Sequence, residues 1–214
     1  MIDTIATRAV DQNEKVLTDL AKKIWENPET AFNEVKACEW TAEVLRNAGF
    51  EVETGYVGMP TAIRAVWGKG HPVIGFLGEY DALPGLSQKV STEKEPVVPG
   101  AAGQGCGHNL LGVACLGAAL GMKAELEATG KEGTVVFYGC PAEEVLTGKA
   151  FMARGGAFTE LDAAFSWHGS TNNHVTLGTM TGLNSAIFHF KGITAHAGGD
   201  PHNGRSALDA VELT

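Results

Sequence analysis

The sequence predicts an α/β fold with a mostly parallel sheet flanked by helices, followed from residue 184 by a segment with a different pattern. Apolar strand-like runs alternate with helical patterns, which is typical of α/β proteins. Polar clusters come shortly after several of the apolar runs. From residue 184 onward, apolar and polar residues alternate instead of forming continuous apolar runs. Hydrophobic residues make up 44% and charged residues 19% of the 214 residues, as in a folded chain with a core.

Helical spacing of apolar residues predicts two helices near the start, at residues 10–27 and 33–48. Asn27-Pro28 ends the first of them, because the residue before a proline disfavours helical geometry. Short apolar runs then predict strands, and residues 72–77 are apolar enough for a strand buried on both faces. The predicted strands are 50–54, 61–67, 72–77, 134–138 and 161–167, with helices at 109–129 and 147–154 and a loop at 85–103.

Three of these strands are followed within a few residues by reactive side chains. Glu79 and Asp81 follow the third strand, the pair Glu143-Glu144 follows the fourth, and His168 follows the fifth. Cys106 and His108 precede the helix at 109–129. Because sites in open α/β sheets form at the carboxyl ends of strands, we expect these segments to meet.

Thiolate, imidazole and carboxylate groups together suit a divalent transition metal such as Zn²⁺, Mn²⁺ or Co²⁺. A bound metal with a nearby carboxylate base is an arrangement typical of enzymes that catalyse hydrolysis. Other interpretations stay open at this point: Cys106 could be a nucleophile with a histidine base, or an incidental residue of a glycine-rich loop. Glu143-Glu144 could be a solvated acidic loop, and Asp81 either orients a ligand or belongs to a turn.

Charge and composition exclude some partners. The net charge of −9 argues against nucleic acid and anionic membranes, which basic patches bind. The first residues lack a signal-peptide core, and no run reaches the roughly 18 apolar residues of a membrane span. We therefore expect a cytoplasmic protein with its four cysteines reduced.

A boundary is predicted after residue 183, between residues 1–183 and a segment of different character at residues 184–214. Residues 184–191 alternate between apolar and polar side chains, as a half-exposed strand does. A loop at 192–204 holds His196 and His202, and a helix begins at about residue 206.

At these residues the sequence resembles the M20 family of metallopeptidases and amidohydrolases, in its N-terminal part only. The resemblance rests on five stretches in order along the chain, GFLGEYDALPGLSQ (75–88), GQGCGHNLLG (103–112), FYGCPAEE (137–144), SWHG (166–169) and FKGITAHAGGDPHNGRSALDAV (190–211). Their combination is specific, although each short motif alone is not. Val145-Leu146-Thr147 departs from the family, where glycines often follow PAEE. The resemblance implies that residues 1–183 are the N-terminal part of a zinc-exopeptidase-like catalytic domain and that residues 184–214 are the truncated start of an α+β lid or dimerisation domain.

The resemblance implies a role for each matching residue. Metal ligands would be Cys106, His108, Glu144 and His168; Glu143 would be the general acid and base, and Asp81 the carboxylate that supports the metal site. His196 would stabilise the oxyanion from the lid, often in the site of the partner subunit. His202, Asn203 and Arg205 would face the substrate.

The resemblance also implies a metal-dependent hydrolase of amide bonds in small N-acyl amino acids or dipeptide-like substrates, aminobenzoyl-glutamate being one example. It implies two divalent ions in the full site and a homodimer, or association with the remainder of the protein. Members of the family are usually longer, and the missing part supplies a further histidine ligand. Two alternatives remain: a cysteine hydrolase using Cys106, and a catalytically incomplete fragment that only binds a ligand or partner.

Overall fold

A computed structural model describes residues 3–175, 178, 179 and 181–214, and the chain divides into two compact units, Met1–Thr171 and Asn172–Thr214. The predicted boundary after residue 183 stays a prediction about domains. The strands are β1 (Glu51–Thr54), β2 (Ile63–Lys69), β3 (Val73–Gly78), β4 (Gly133–Gly139) and β5 (Ala163–Phe165). The helices are α1 (Ile5–Gln12), α2 (Glu14–Glu26), α3 (Val35–Asn47), α4 (His108–Thr129), α5 (Gly148–Arg154) and α6 (Ala207–Glu212).

The five strands form one sheet in the order β1-β2-β4-β3-β5. β3 lies in the middle of a parallel part, with β4 on one side and β5 on the other. β2 pairs antiparallel with both β1 and β4. The α/β class and the flanking helices are confirmed, whereas the sheet is parallel in two of its four strand pairs.

The antiparallel pairing of β1 with β2 has a simple origin. These strands are joined by a short connection, the turn Tyr56–Gly58 and a few residues around it. A short connection can only reverse the chain direction, because a parallel crossover needs a dozen or more residues. The helices α4 and α5 lie in the crossovers of the parallel part, so the strands that precede the predicted site residues all end at one edge of the sheet.

The first predicted helix, at residues 10–27, is two helices that meet at Asn13. The Asn13 side chain donates to the carbonyl of Ala9 at 2.8 Å, and its backbone N–H also turns back into α1. Asparagine competes in this way with regular helical hydrogen bonding, which explains the break. The remaining predicted helices and strands of the first unit are confirmed, with bounds that differ by a few residues.

Both faces of the sheet are covered. On β4, Val135 and Phe137 pack into a core with α2, α3 and α4, while Val136 and Tyr138 pack on the opposite face with Met152 of α5. Alternate side chains of a strand point to opposite faces, so β4 contributes to both cores. The sheet is thus held from both sides next to the edge where the polar residues lie.

By length and composition, α4 could cross a membrane, so the expectation that no segment would qualify was wrong. Of its most apolar stretch, 56% is buried inside the protein. A buried core helix meets the same criteria as a membrane span. The contacts of α4 with β3, β4, α1 and α2 agree with a core helix.

Gly112 brings α4 against the end of β3. A Cβ atom at Gly112 would lie 2.2 Å from the backbone carbonyl oxygen of Glu79, closer than atoms can approach. A Cβ at Gly117, on the same helix, would meet only side-chain atoms, the nearest being the end of Leu17 at 3.2 Å. The close approach at Gly112 therefore fixes the distance between the helix and the Glu79 backbone.

Gly112→Ala is expected to destabilise the fold by about 1–3 kcal/mol, because the backbone of Glu79 cannot move aside as a side chain can. Gly117→Ala is the matched control, since alanine gains about 1 kcal/mol of helix propensity over glycine at both positions. Urea unfolding of the two variants measures the difference. Equal stability of the two variants would show that the approach at Gly112 is not tight.

The second unit, from Asn172, contains little regular structure in its described residues. The strand predicted at 184–191 is wrong: these residues form no ladder, and Ile187 and Phe188 are exposed. An alternating pattern becomes a strand only where another strand pairs with it, and the one bridge described here joins Ile193 to Arg205. The predicted helix near residue 206 is confirmed as α6, with Ser206 capping it through the Asp209 N–H.

Candidate metal centre

The polar residues predicted to meet lie together at the carboxyl edge of the parallel strands. β3 ends at Gly78, just before Glu79 and Asp81; β4 ends at Gly139, before the Glu143–Val145 turn. β5 ends at Phe165, three residues before His168. His108 is the first residue of α4, and the left-handed backbone of Gly107 turns the chain into this helix.

His108 is the centre of the cluster and is fully buried. Its Nδ1 lies 2.9 Å from Asp81 Oδ1 and 3.1 Å from the Asp81 carbonyl oxygen. These two acceptors hold the proton on Nδ1, which leaves the lone pair on Nε2. Among the described residues Nε2 has no hydrogen-bond partner, although Glu79 Oε2 lies 3.2 Å away.

Carboxylates surround this free nitrogen. Glu143 Oε2 lies 3.7 Å and Glu144 Oε1 3.9 Å from His108 Nε2, and Glu144 Oε1 is itself buried without a hydrogen-bond partner in the described part of the chain. Unpaired buried polar atoms are rare and costly. A buried imidazole lone pair and a buried carboxylate oxygen that face each other are what a cation between them would satisfy.

Cys106 and His168 form the second half of the cluster. His168 Nδ1 lies 2.9 Å from the Gly169 carbonyl, so it donates there, and Nε2 faces Cys106 Sγ at 3.2 Å. The rings of His108 and His168 are 6.0 Å apart and nearly perpendicular. Ligand atoms of Cys106, His108 and His168 lie within 4.8 Å of one another, and so do those of Glu79, His108 and Glu143.

The electrostatics favour a cation over a free thiolate. Burial, followed by the neighbouring Glu144 carboxylate, raises the pKa of the Cys106 thiol to about 11. Burial and then the charge of Glu79 raise the pKa of Glu143 above its ordinary value. Burial alone would lower the pKa of His108, but Asp81 and Glu79 outweigh it and raise the pKa. Excess negative charge around these groups is what a divalent cation would neutralise.

Asp81 supports two of the predicted ligands at once. One oxygen holds the His108 ring, and Oδ2 accepts a hydrogen bond from the backbone N–H of Glu144 at 2.9 Å. The side chain of Asp81 is fully buried, with 0% exposure. These contacts agree with the supporting role predicted for Asp81, which stays a prediction.

Two residues of the cluster were not assigned by the sequence. Glu79 lies between His108 Nε2 and the ammonium group of Lys149, with which it pairs closely. The signal for Glu79 was its place at the end of β3, two residues before Asp81. Lys149 lies on α5, seventy residues along the chain from Glu79, and nothing in its local sequence marks it.

The lid residues lie in the second unit, and their contacts are local. His196 Nδ1 accepts hydrogen bonds from the N–H groups of Gly198 and Gly199, at 3.1 and 2.8 Å. His202 Nε2 lies 3.3 Å from Asp200 Oδ1, to which Asn203 donates at 2.7 Å. Arg205 donates to the carbonyls of His202 and Gly204. Their predicted roles stay predictions.

Known proteins resemble this chain in sequence and in fold. No family model matches it. A subunit of the p-aminobenzoyl-glutamate hydrolase of Escherichia coli strain K12 is 48% identical over 96% of this chain and 43% of its own length. The Xaa-Arg dipeptidase of Mus musculus is 33% identical over 97% of this chain and 47% of its own length. The chain thus spans about half the length of these curated relatives.

Solved structures share the fold. The aminobenzoyl-glutamate utilization protein from Klebsiella pneumoniae superposes with a TM-score of 0.63 at 16% identity, over 98% of this chain and 58% of that one. A dinuclear metal-binding peptidase of the M20 family from Bacillus subtilis superposes with a TM-score of 0.61 at 23% identity, over 78% of this chain and 43% of that one. At these identities the likeness concerns the fold alone.

Proposed function

We propose that this chain, which belongs to the M20 family of metallopeptidases and amidohydrolases, carries metal-binding and acid–base residues of an enzyme that hydrolyses amide bonds. The observation that carries the proposal is the buried Nε2 of His108, which faces Glu79, Glu143 and Glu144 without a hydrogen-bond partner in the described part of the chain. A buried position with so many acidic neighbours is unfavourable unless a cation binds there.

The proposed ligands are Cys106, His108, Glu144 and His168, with Asp81 orienting His108 and Glu144. Glu79 also lies close to His108 Nε2 and adds negative charge to the site. The donor set of sulfur, nitrogen and oxygen suits Zn²⁺ or Mn²⁺, with Co²⁺ as a further fit. Two ions are proposed for the full site, because the structurally similar M20 peptidase from Bacillus subtilis is described as dinuclear.

Glu143 is the proposed acid and base. It is the more exposed of the two adjacent glutamates, at 32% against 15% for Glu144, so it can reach a water molecule and a substrate. Its raised pKa makes it a stronger base than an ordinary carboxylate once it is ionised. A bound divalent ion would polarise the amide carbonyl and make the attacking water easier to deprotonate. Glu143 would take a proton from the attacking water and then give it to the leaving amine.

The proposed substrates are small amides of amino acids. One relative is named as a hydrolase of p-aminobenzoyl-glutamate and another as a dipeptidase for Xaa-Arg, and both names denote an amide bond to an amino acid. We propose this class for the present chain, with aminobenzoyl-glutamate as the first substrate to assay. His196 would stabilise the oxyanion, and His202, Asn203 and Arg205 would contact the substrate.

Association is part of the proposal. The Escherichia coli relative is named as a subunit, which supports a homodimer or association with further polypeptide. Formal net charge is −9, so we propose neither nucleic acid nor an anionic membrane as a partner. The cytoplasm is the proposed location.

A cysteine hydrolase is the second candidate, because Cys106 Sγ lies 3.2 Å from His168 Nε2 as a nucleophile and its base do. Burial and the neighbouring Glu144 carboxylate argue against it, because they raise the pKa of the Cys106 thiol to about 11 and such a thiol is almost entirely protonated at neutral pH. Chelation inactivates a metal enzyme and leaves a thiol enzyme active, so it distinguishes the two candidates.

Chelation is expected to abolish amide hydrolysis. EDTA should lower the rate by about 100-fold or more, because the ion supplies several kcal/mol of transition-state stabilisation and each ~1.4 kcal/mol is worth tenfold in rate. Added Zn²⁺ or Mn²⁺ should restore the rate, as measured by release of the free amine from aminobenzoyl-glutamate. Activity that survives EDTA and disappears on thiol alkylation would favour the cysteine hydrolase instead.

A further inference from the structure

Glu34 is a fully buried carboxylate that lies outside the predicted site. Its Oε2 accepts a hydrogen bond from the Thr61 hydroxyl at 2.8 Å. Its Oε1 accepts from two backbone N–H groups, that of Phe32 at 2.9 Å and that of Ala142 at 2.8 Å. The last of these contacts links the start of α3 to a residue 108 positions further along the chain.

The two residues held by Glu34 Oε1 share an unusual backbone. Phe32 has a φ of 63° and Ala142 a φ of 56°, in the left-handed region that favours glycine. Such a conformation costs of order 1 kcal/mol for a residue with a Cβ and persists only where its surroundings hold it. The buried oxygen of Glu34 supplies that support to both residues.

Ala142 immediately precedes the acid–base residue. It is the residue before the Glu143–Val145 turn, and two residues later the N–H of Glu144 is bound by Asp81. The backbone is therefore held on both sides of Glu143, by Glu34 before it and by Asp81 after it. Loss of either contact would free the direction in which the Glu143 side chain points.

We propose that Glu34 is a positioning residue, which sets the orientation of Glu143 and Glu144 by holding the Ala142 backbone. The catalytic consequence rests on the proposed amidohydrolase function, whereas the structural consequence does not. Burial raises the pKa of Glu34, against its hydrogen bonds. The geometry requires only an oxygen acceptor at Oε1, which the protonated and the ionised side chain both provide.

Two substitutions separate the effect of side-chain length at position 34 from the effect of its charge. Glu34→Asp keeps the carboxylate but is one methylene shorter, by about 1.5 Å, so it cannot reach both N–H groups. Glu34→Gln loses the charge but can present its amide oxygen to both N–H groups and its NH₂ to Thr61. If Glu34 positions the backbone at Ala142, the Glu34→Gln variant keeps that backbone in place and the Glu34→Asp variant does not.

Hydrogen exchange at the Ala142 amide, followed by NMR on the metal-free protein, gives a readout independent of activity. In Glu34→Asp we expect exchange faster by about tenfold, the equivalent of one hydrogen bond, and in Glu34→Gln a rate close to wild type. In the metal-loaded protein, kcat should fall by on the order of 100-fold in Glu34→Asp with little change in KM. Glutamine should restore most of kcat.

Glu29→Asp is the matched control. The Glu29 carboxylate also accepts hydrogen bonds from two backbone N–H groups of α3, Lys36 at 2.9 Å and Ala37 at 3.1 Å, but none from the Ala142 loop among the described contacts. The Glu29→Asp variant should lower the midpoint of unfolding without changing the rate of hydrogen exchange at the Ala142 amide. Thr61→Val, which removes the anchor of Oε2 alone, should speed that exchange by a smaller factor and serves if Glu34→Asp does not fold.

Wild-type exchange at Ala142 in Glu34→Asp, or in Thr61→Val where that variant stands in for it, would overturn the proposal. Faster exchange in Glu34→Gln than in Glu34→Asp would overturn it too, since charge would then matter more than reach. Faster exchange in Glu34→Asp without any hydrolysis by the wild-type protein would uphold the positioning of the loop and reject the proposed function. A failure of the positioning proposal can therefore be told apart from a failure of the proposed amidohydrolase function.

Discussion

Glu143→Gln is expected to retain the metal and to lose turnover by on the order of 10²- to 10⁴-fold, the usual contribution of a general acid–base residue. Glutamine has nearly the same shape as glutamate but cannot take up a proton. Glu143 Oε2 lies 3.7 Å from His108 Nε2, and the side chain is 32% exposed toward solvent. The ligand atoms around His108 remain in place, so metal content by elemental analysis should be unchanged while kcat collapses.

Glu144→Gln is the informative comparison for this prediction. Glu144 Oε1 is buried, lacks a hydrogen-bond partner in the described part of the chain, and faces the same nitrogen of His108. If Glu144 is the ligand and Glu143 the base, Glu144→Gln loses metal and Glu143→Gln does not. The reverse result would exchange the two roles, because Glu79, His108 and Glu143 also form a compatible donor group. Glu53→Gln, at an exposed position of β1, should change neither property.

The convergence of the site was predictable from the sequence because it follows from sheet topology. Each of Asp81, Glu144 and His168 comes shortly after an apolar run, and parallel strands bring their carboxyl ends to one edge. The exact depth of burial was not predictable, since it depends on how α4 packs. His108 is fully buried because Gly112 lets α4 approach the Glu79 backbone.

The contacts that sequence reasoning missed are all long-range. Lys149 pairs with Glu79 across 70 residues, and Glu34 binds Ala142 across 108. Local patterns carry no signal for such pairs, because an isolated lysine or glutamate in a sequence is usually a solvated surface residue. The wrong strand at 184–191 has the related cause that alternation predicts a strand only when a partner is present.

Asp81→Asn is expected to lower metal affinity by about 10- to 100-fold, the range typical of residues that orient metal ligands. Asp81 accepts through both oxygens, one from the His108 ring and the other from the Glu144 N–H. Asparagine offers a single oxygen, so its NH₂ must face one of these two donors. With the side chain fully buried, that unpaired donor costs about 1–3 kcal/mol. Calorimetric titration with Zn²⁺ or Mn²⁺ and urea unfolding measure the two effects.

Asp162→Asn controls for the chemistry of this substitution, because Asp162 has the same kinds of partner at the opposite end of β3. Its Oδ2 lies 2.7 Å from His71 Nδ1 and accepts from the Val73 N–H at 2.7 Å. The hydrogen bond from the Val73 N–H, and then the contact with His71, lower the pKa of Asp162. Both contacts lie at the other end of β3 from His108. Asp162→Asn should therefore bind metal as the wild type does. Wild-type metal affinity in Asp81→Asn, or an equal loss in both variants, would show that His108 and Glu144 do not depend on Asp81 for their orientation.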